Sequence, residues 1–187
     1  MKISTVFTDR DGVLNVDKPD YLLRLEDVEI HEDVPAALAR LTKAGIRVIV
    51  ISNQAGIGKE LISKRAAEAI FDEVIREAES AGGHIDAYYY CPHTWDDECN
   101  CRKPGIALFL RAAREHAFDI KGSVMIGDGF GDARAAEHLR VPFFLVEQGW
   151  GPVTKVKCDS SEVPYQQVRN FSEAADAILK LNEGSDT

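Results

Sequence analysis

The chain has 187 residues, 45% of them hydrophobic, and its 31 acidic and 22 basic side chains give a formal net charge of −9 at pH 7. This length and composition predict one globular domain over residues 1–187, and they exclude a disordered chain. The negative charge argues against nucleic acid and anionic membranes as partners, and no apolar run is long enough for a bilayer span or a signal peptide. We therefore expect a soluble, cytoplasmic monomer that acts on a small molecule.

Short apolar runs alternate with amphipathic segments along the chain. Strands are expected over residues 3–9, 46–52, 85–90, 123–128 and 142–146. Helices are expected over 33–45, from an N-cap at Ser63 to about Ala78, and over about 105–117, 131–139 and 172–182. This alternation is typical of an α/β fold, a Rossmann-like parallel sheet with helices on both faces. Residues 150–170 show no clear periodicity, and a flexible tail is expected from about residue 183.

Polar side chains end three of the predicted strands: Asp9, Ser52 and Asp128. Each alone is also explained as a turn or helix-cap residue. The carboxyl ends of parallel strands share one edge of the sheet, however, so the three could converge on one pocket. Asp11 stands two residues after Asp9, before Gly12, which allows a tight turn. The carboxylates of Asp9, Asp11 and Asp128 would form an oxygen-rich site suited to Mg²⁺ and phosphate.

A second cluster of possible metal ligands lies in the segment 91–104, which we call the zinc loop. Its members fall within a stretch of eleven residues: Cys91, His93, Cys99 and Cys101. Four such ligands close a tetrahedral zinc shell and leave no position for water, which indicates a structural zinc site. The alternative is a chance group of surface thiols with a histidine. The remaining cysteine, Cys158, is interpreted as a free or partly buried thiol.

Four segments, in order, resemble the motifs of the haloacid dehalogenase superfamily of phosphotransferases: "DRDG" at 9–12, Ser52, Lys103 and "GDGFGD" at 127–132. The zinc loop followed by "CRKP" is similar to the superfamily branch that lacks a large cap domain, which contains heptose bisphosphate and histidinol-phosphate phosphatases. The resemblance implies a capless fold with an inserted zinc loop. It also implies a Mg²⁺-dependent phosphomonoester hydrolase that works through an aspartyl-phosphate.

The resemblance assigns a catalytic role to four of these side chains. Asp9 would be the nucleophile and Asp11 the general acid and base, so Asp9 should stay ionised while Asp11 exchanges protons near neutral pH. Ser52, with the backbone amide of Asn53, would donate hydrogen bonds to the phosphoryl oxygens, and Lys103 would supply positive charge.

The metal ligands and substrate contacts follow from the same resemblance. Mg²⁺ would be held by Asp9, the backbone carbonyl of Asp11 and Asp128, while Asp132 would orient Lys103 or a metal-bound water. The residues expected to contact the substrate are Arg10, Asp17, Tyr21, Asn53, Gln54 and Arg102.

The expected substrate is a small phosphorylated sugar. The resemblance favours D-glycero-D-manno-heptose 1,7-bisphosphate, from which the enzyme would remove the 7-phosphate. Histidinol phosphate, another sugar phosphate or either anomer of the heptose stay open as alternatives. Two further alternatives are a nucleic-acid 3′-phosphatase and a zinc-stabilised binding module without catalysis. The chain departs from the pattern of the family it resembles at "DKPDY", one residue longer than usual, and at Gly129, where a basic residue is expected. Lys59 or Arg134 could replace that missing charge.

Overall fold

The computed structural model describes residues 2–184, and its centre is a parallel six-stranded sheet with the strand order β3-β2-β1-β4-β5-β6. Strand β1 lies in the middle, where Val6 pairs in register with Val48 on one side and Val124 on the other. The strands are β1 Thr5–Thr8, β2 Arg47–Asn53, β3 Ala87–Cys91, β4 Ser123–Gly127, β5 Phe143–Val146 and β6 Gln166–Val168. The first five agree with the predicted strands.

Helices connect successive strands, as parallel pairing requires. They are α1 Val34–Lys43, α2 Ala55–Gly58, α3 Lys64–Ala78, α4 Ala107–Glu115, α5 Phe130–Leu139, α6 Gly151–Ser161 and α7 Phe171–Glu183. Ser63 caps α3 as predicted, since its hydroxyl accepts a hydrogen bond from the backbone N–H of Ala66 at 3.2 Å. Gly45 adopts a positive φ of 71° just after α1, which ends that helix where expected.

Two apolar layers hold the helices on opposite faces of the sheet. Successive strand residues alternate between them: Val48 and Val50 pack with α1, α3 and α7, whereas Ile49 and Ile51 pack with α4, α5 and α6. This arrangement confirms the predicted α/β fold with helices on both faces. Cys158 is a free thiol, as predicted, and it is fully buried in the second layer.

Helix α6 and strand β6 occupy the segment 150–170, for which no element was predicted. The reason is that α6 buries only Gly151, Thr154 and Cys158, a set too small and too polar to produce a helical hydrophobic pattern. Strand β6 is a three-residue edge strand with a single buried side chain, Val168. Neither element carries the periodicity from which strands and helices are recognised.

The beginning of the sheet is joined to the last helix. The side chain of Asn182 accepts from the backbone N–H of Ile3 at 2.7 Å and donates to the carbonyl of Ile3 at 2.8 Å. Helix α7 therefore continues through Glu183, where the tail was expected to begin, and residues 185–187 lie outside the described residues. Within residues 2–184, no helix has the length and apolar content needed to cross a membrane.

Candidate active site

A cavity of about 520 Å³, the catalytic pocket, opens at the carboxyl ends of β1, β2 and β4. Asp9, Asp11, Ser52 and Asp128 all line it, so the polar residues after three separate strands do meet. The six predicted substrate contacts line it as well: Arg10, Asp17, Tyr21, Asn53, Gln54 and Arg102. Lys103 and Asp132 lie deeper, with 2% and 1% of their side chains exposed.

The buried ammonium of Lys103 joins the two sides of this site. Its Nζ lies 2.9 Å from Asp9 Oδ2 and 2.6 Å from Asp132 Oδ1, and it donates to the carbonyl of Ile51 at 2.7 Å. Burial alone would lower the pKa of Lys103, but the charges of Asp132 and Asp9 outweigh it and the pKa is raised. The lysine therefore stays protonated and presents a fixed positive charge beside Asp9.

Asp128 is held in a space that admits no side chain on either side. A Cβ at Gly12 or at Gly149 would come within 2.2 Å of Asp128 Oδ2, and both glycines adopt a positive φ, of 76° and 54°. The backbone N–H of Trp150 donates to the same carboxylate at 2.9 Å, while the indole Nε1 donates to Asp17 Oδ2 at 3.1 Å. Sequence reasoning missed Trp150. Its place just after β5, at the carboxyl edge of the sheet, was the available signal.

Three carboxylates can meet a single metal ion here: Asp9, Asp128 and Asp132 each bring an oxygen within 4.8 Å of the others. Burial, together with the neighbouring negative charges, raises the pKa of Asp9 to about 7 and that of Asp128 to about 8. A divalent cation would offset this repulsion, and hard oxygen donors fit Mg²⁺. The side chain of Asp11 stays outside this cluster.

Asp11 is instead held by hydrogen-bond donors. Arg10 Nη2 lies 2.8 Å from each Asp11 carboxylate oxygen, with Nε at 3.1 Å, and Asn15 and Gln54 donate at 3.1 and 3.0 Å. The Arg10 guanidinium is buried over the ring of Phe71, 4.4 Å from its centre. Burial raises the pKa of Asp11, but these charged and polar contacts outweigh it and hold the pKa below its usual value.

This order of acidity, with Asp9 raised and Asp11 lowered, is the reverse of the expected one. Burial raises the pKa of both carboxyls; at Asp11 the paired Arg10 outweighs it, whereas Asp9 shares its single cation, Lys103, with Asp132. A divalent cation beside Asp9 would lower its pKa, and an anionic ligand beside Asp11 would raise that of Asp11. Both changes act in the direction of the order that the predicted roles require.

The raised pKa values predict a pH-dependent effect of Mg²⁺ on stability. Because Asp9 and Asp128 bind protons more tightly in the folded chain than at their ordinary pKa of 3.8, their contribution to stability falls as pH rises toward about 7 and about 8. Mg²⁺ binds the ionised carboxylates, so we expect it to raise the melting temperature more at pH 8 than at pH 5. Thermal melts of dialysed protein with and without Mg²⁺ measure this.

Asp128→Asn should remove most of that Mg²⁺ shift, whereas Asp20→Asn, at an exposed carboxylate outside the pocket, should keep it. An Mg²⁺ shift that is equal at the two pH values, or that persists in Asp128→Asn, would contradict the assignment of this cluster.

The zinc loop brings its four ligand side chains together. Cys91 Sγ lies 3.6 Å from Cys99 Sγ and 3.2 Å from Cys101 Sγ, and His93 Nδ1 lies 3.2 Å from Cys101 Sγ. Zn–S bonds of about 2.3 Å in a tetrahedron separate sulfur atoms by roughly 3.8 Å, so the set fits zinc after small adjustments. Burial raises the pKa of Cys99, but the backbone N–H of Arg102 and the neighbouring thiols outweigh it and lower the pKa to about 7, which favours the thiolate that binds metal.

Arg102, which follows the last of these ligands, turns its guanidinium toward the catalytic pocket. It lies over the indole of Trp95, 4.4 Å from the ring centre, and donates to the carbonyl of His93 at 3.2 Å. Among residues 2–184 its side chain pairs with no carboxylate, and its buried Nε has no hydrogen-bond partner. This cation is therefore free to meet an anion in the pocket. Trp95, which sequence reasoning also missed, fixes its orientation.

Asn53 and Gln54 support the catalytic residues as well as lining the pocket. Asn53 accepts from the backbone N–H of Lys103 at 2.9 Å and donates to its carbonyl at 3.2 Å. Gln54 donates to the Ser52 hydroxyl at 2.9 Å and to Asp11. These contacts fix Lys103, Ser52 and Asp11 relative to one another.

Short loops surround the pocket, as the capless resemblance implied. The segment 17–22 and the zinc loop contribute walls, and from the segment 54–61 only Gln54 lines the pocket. The loop after β5 contributes a further wall of the pocket through Trp150. Of the two candidates for the charge missing at Gly129, Lys59 lies over the ring of Tyr21 at 5.3 Å, and Arg134 pairs with Glu137. Neither Lys59 nor Arg134 lines the catalytic pocket.

Comparison with known proteins places this site in context. Residues 3–140 match the family model described as haloacid dehalogenase-like hydrolase. A Thermoplasma acidophilum protein named "Probable D-glycero-D-manno-heptose-1,7-bisphosphate 7-phosphatase" is 39% identical over 77% of this chain and 90% of its own length. The D-glycero-beta-D-manno-heptose-1,7-bisphosphate 7-phosphatase of Pseudomonas aeruginosa is 34% identical over 81% of this chain and 85% of its own.

A solved structure agrees over nearly the whole chain. The D,D-heptose 1,7-bisphosphate phosphatase of B. bronchiseptica, complexed with magnesium and phosphate, superposes with a TM-score of 0.88 at 30% identity. The match covers 97% of this chain and 99% of that one, so it includes the segment 150–170 that sequence patterns left unassigned.

Proposed function

The chain belongs to the haloacid dehalogenase-like hydrolase family and is a phosphatase, and from that premise we propose that it removes the 7-phosphate of D-glycero-D-manno-heptose 1,7-bisphosphate. The observation that carries the chemistry is Asp9 beside the buried Lys103 ammonium, 2.9 Å away, with Asp11 lining the same pocket. The substrate rests on relatives of that name, whose similarity extends through the zinc loop, and on the free cation of Arg102.

The reaction proceeds in two steps at Asp9. A carboxylate oxygen attacks the 7-phosphorus, the bond from phosphorus to the sugar oxygen breaks, and Asp11 gives that oxygen a proton. Water then attacks the aspartyl-phosphate, Asp11 takes a proton from it, and phosphate leaves with Asp9 restored. Lys103 and the Ser52 hydroxyl bind the phosphoryl oxygens throughout. Mg²⁺ would be held by Asp9, Asp128 and the backbone carbonyl of Asp11, and it would supply the positive charge that lets two anions approach.

Arg10 tunes Asp11 for both steps. In the structure its bidentate contact keeps Asp11 ionised, the form that accepts a proton from water. The negative charge of an arriving phosphate raises the pKa of Asp11, so that it can bind the proton it delivers in the first step. We assign Arg10 this positioning role, since its side chain is 2% exposed and its guanidinium is already paired with Asp11.

Zn²⁺ would have a structural role in this enzyme. The four ligands would close its shell, and Arg102 and Lys103 follow them directly in the chain, so the metal would fix the direction of both cations. We further propose that residues 1–187 act as one phosphatase domain and as a cytoplasmic monomer, with neither nucleic acid nor membrane as a partner. The net charge of −9 supports the last part.

The test compares kcat/KM, in Mg²⁺, for both anomers of the heptose bisphosphate, histidinol phosphate, other sugar phosphates and an oligonucleotide 3′-phosphate. We expect one heptose anomer to exceed every other compound by at least about tenfold. A tenfold preference for histidinol phosphate would overturn the substrate, oligonucleotide turnover would favour the nucleic-acid alternative, and no turnover of any compound would favour a binding module.

A further inference from the structure

A second cavity, of about 410 Å³, adjoins the catalytic pocket, and we call it the side groove. Trp95, Gly129 and Trp150 line both cavities, so the two share a boundary. Gly129 has no side chain to close that boundary. A ligand held in the catalytic pocket can therefore extend into the side groove.

The side groove is lined by apolar side chains and by two cations. The apolar side chains include Phe130 and Val153, and the cations are Arg134 on α5 and Lys157 on α6. Among residues 2–184, no carboxylate lines it, and Lys157 makes no ion pair. Arg134 pairs with Glu137 but keeps 37% of its side chain exposed. The groove thus offers an anion at least one uncommitted cation.

The cations of the catalytic pocket are largely committed. Arg10 holds Asp11, Lys103 lies between two carboxylates, and Lys18 pairs with Glu29 at 3.2 Å. Arg102 alone among the pocket's cations has no carboxylate partner within residues 2–184. A substrate with two phosphates needs opposite charge at both ends, because each phosphate loses solvation on binding.

We propose that the side groove binds the second phosphate of a bisphosphorylated sugar, through Lys157 and Arg134, while the first phosphate occupies the catalytic pocket. The proposal rests on the function proposed above and deepens it. The sugar lies between the two phosphates, at the shared boundary, where Trp95 and Trp150 are 71% and 60% exposed. Indole faces suit the C–H face of a sugar ring, which buries apolar area without displacing its hydroxyl contacts.

The test measures kcat/KM for heptose 1,7-bisphosphate and for heptose 7-phosphate, which lacks the second phosphate, in wild type and Lys157→Gln. Wild type should prefer the bisphosphate, and Lys157→Gln should reduce that preference about tenfold, through KM. Arg134→Gln should act in the same direction. Lys155→Gln is the matched control on the same helix: Lys155 pairs with Asp159 and does not line the groove, so the preference should be unchanged. Lys157 is exposed, so its replacement leaves the fold intact.

The outcomes separate the two proposals. If wild type prefers the bisphosphate and Lys157→Gln keeps that preference in full, the side groove assignment fails and the proposed function stands. If wild type hydrolyses both heptose phosphates equally, the second phosphate has no subsite and the assignment again fails. If p-nitrophenyl phosphate is hydrolysed but the bisphosphate neither reacts nor inhibits, the proposed substrate and the assignment fail together.

Discussion

Asp9→Asn is expected to lower kcat by about 10⁴-fold or more and to leave the fold intact. The amide cannot form the aspartyl-phosphate. Because a nucleophile and the other catalytic residues act together, loss of the nucleophile alone removes most of the rate enhancement. The substitution also removes one negative charge from the crowded cluster with Asp128 and Asp132, so the melting temperature without Mg²⁺ should stay the same or rise. Steady-state kinetics and thermal melts on the same preparation check both statements.

Asp11→Asn is the matched variant, because it makes the same chemical change two residues away. It keeps the nucleophile and should form the phospho-enzyme slowly without releasing it, so acid quenching should trap phosphate on Asp11→Asn and none on Asp9→Asn. Substantial turnover by purified Asp9→Asn would rule Asp9 out as the nucleophile. Equal trapping on the two variants would do the same.

Cys99→Ala is expected to release zinc and to lower kcat/KM by about 10²-fold, although it changes no group that reacts. The zinc loop carries Arg102 and Lys103 immediately after its last ligand, and three ligands hold zinc much more weakly than four. Lys103 would lose its fixed distance to Asp9, and a displacement of about 1 Å can cost that much in rate. Metal analysis and kinetics on the same samples measure the two effects.

Cys158→Ala is the control, since it removes the same thiol from a buried core position outside the zinc loop. It should lower stability modestly, by about 1 kcal/mol, and keep both zinc and activity. Cys99→Ala protein that retains a full equivalent of zinc, or loses zinc without losing activity, would separate the loop from catalysis and contradict its proposed role.

The parts of the molecule that sequence predicts are those with strong local patterns. Five strands are predictable because each is a short apolar run next to a turn, and parallel strands place the residues after them at one edge. This is why Asp9, Ser52 and Asp128, far apart in the chain, could be expected in one pocket. The cluster of Cys91, His93, Cys99 and Cys101 is predictable because its four residues lie close together in the chain.

What sequence does not reveal here are contacts without a local pattern. Trp150 meets Asp128 through its backbone N–H, and any residue type except proline has that group. The lowered pKa of Asp11 depends on Gln54, which follows β2, as well as on Arg10 and Asn15 in its own loop after β1. The side groove depends on α6, a helix too weakly amphipathic to be recognised.

The pair formed by Ile3 and Asn182 has a practical consequence for handling the enzyme. It lies before the first residue of β1, whereas Asp9 and the catalytic pocket lie beyond the last, so the two are at opposite ends of the central strand. A tag, dye or support attached near either residue faces away from the pocket. The enzyme could be fixed to a surface through that side with its mouth open to the solution.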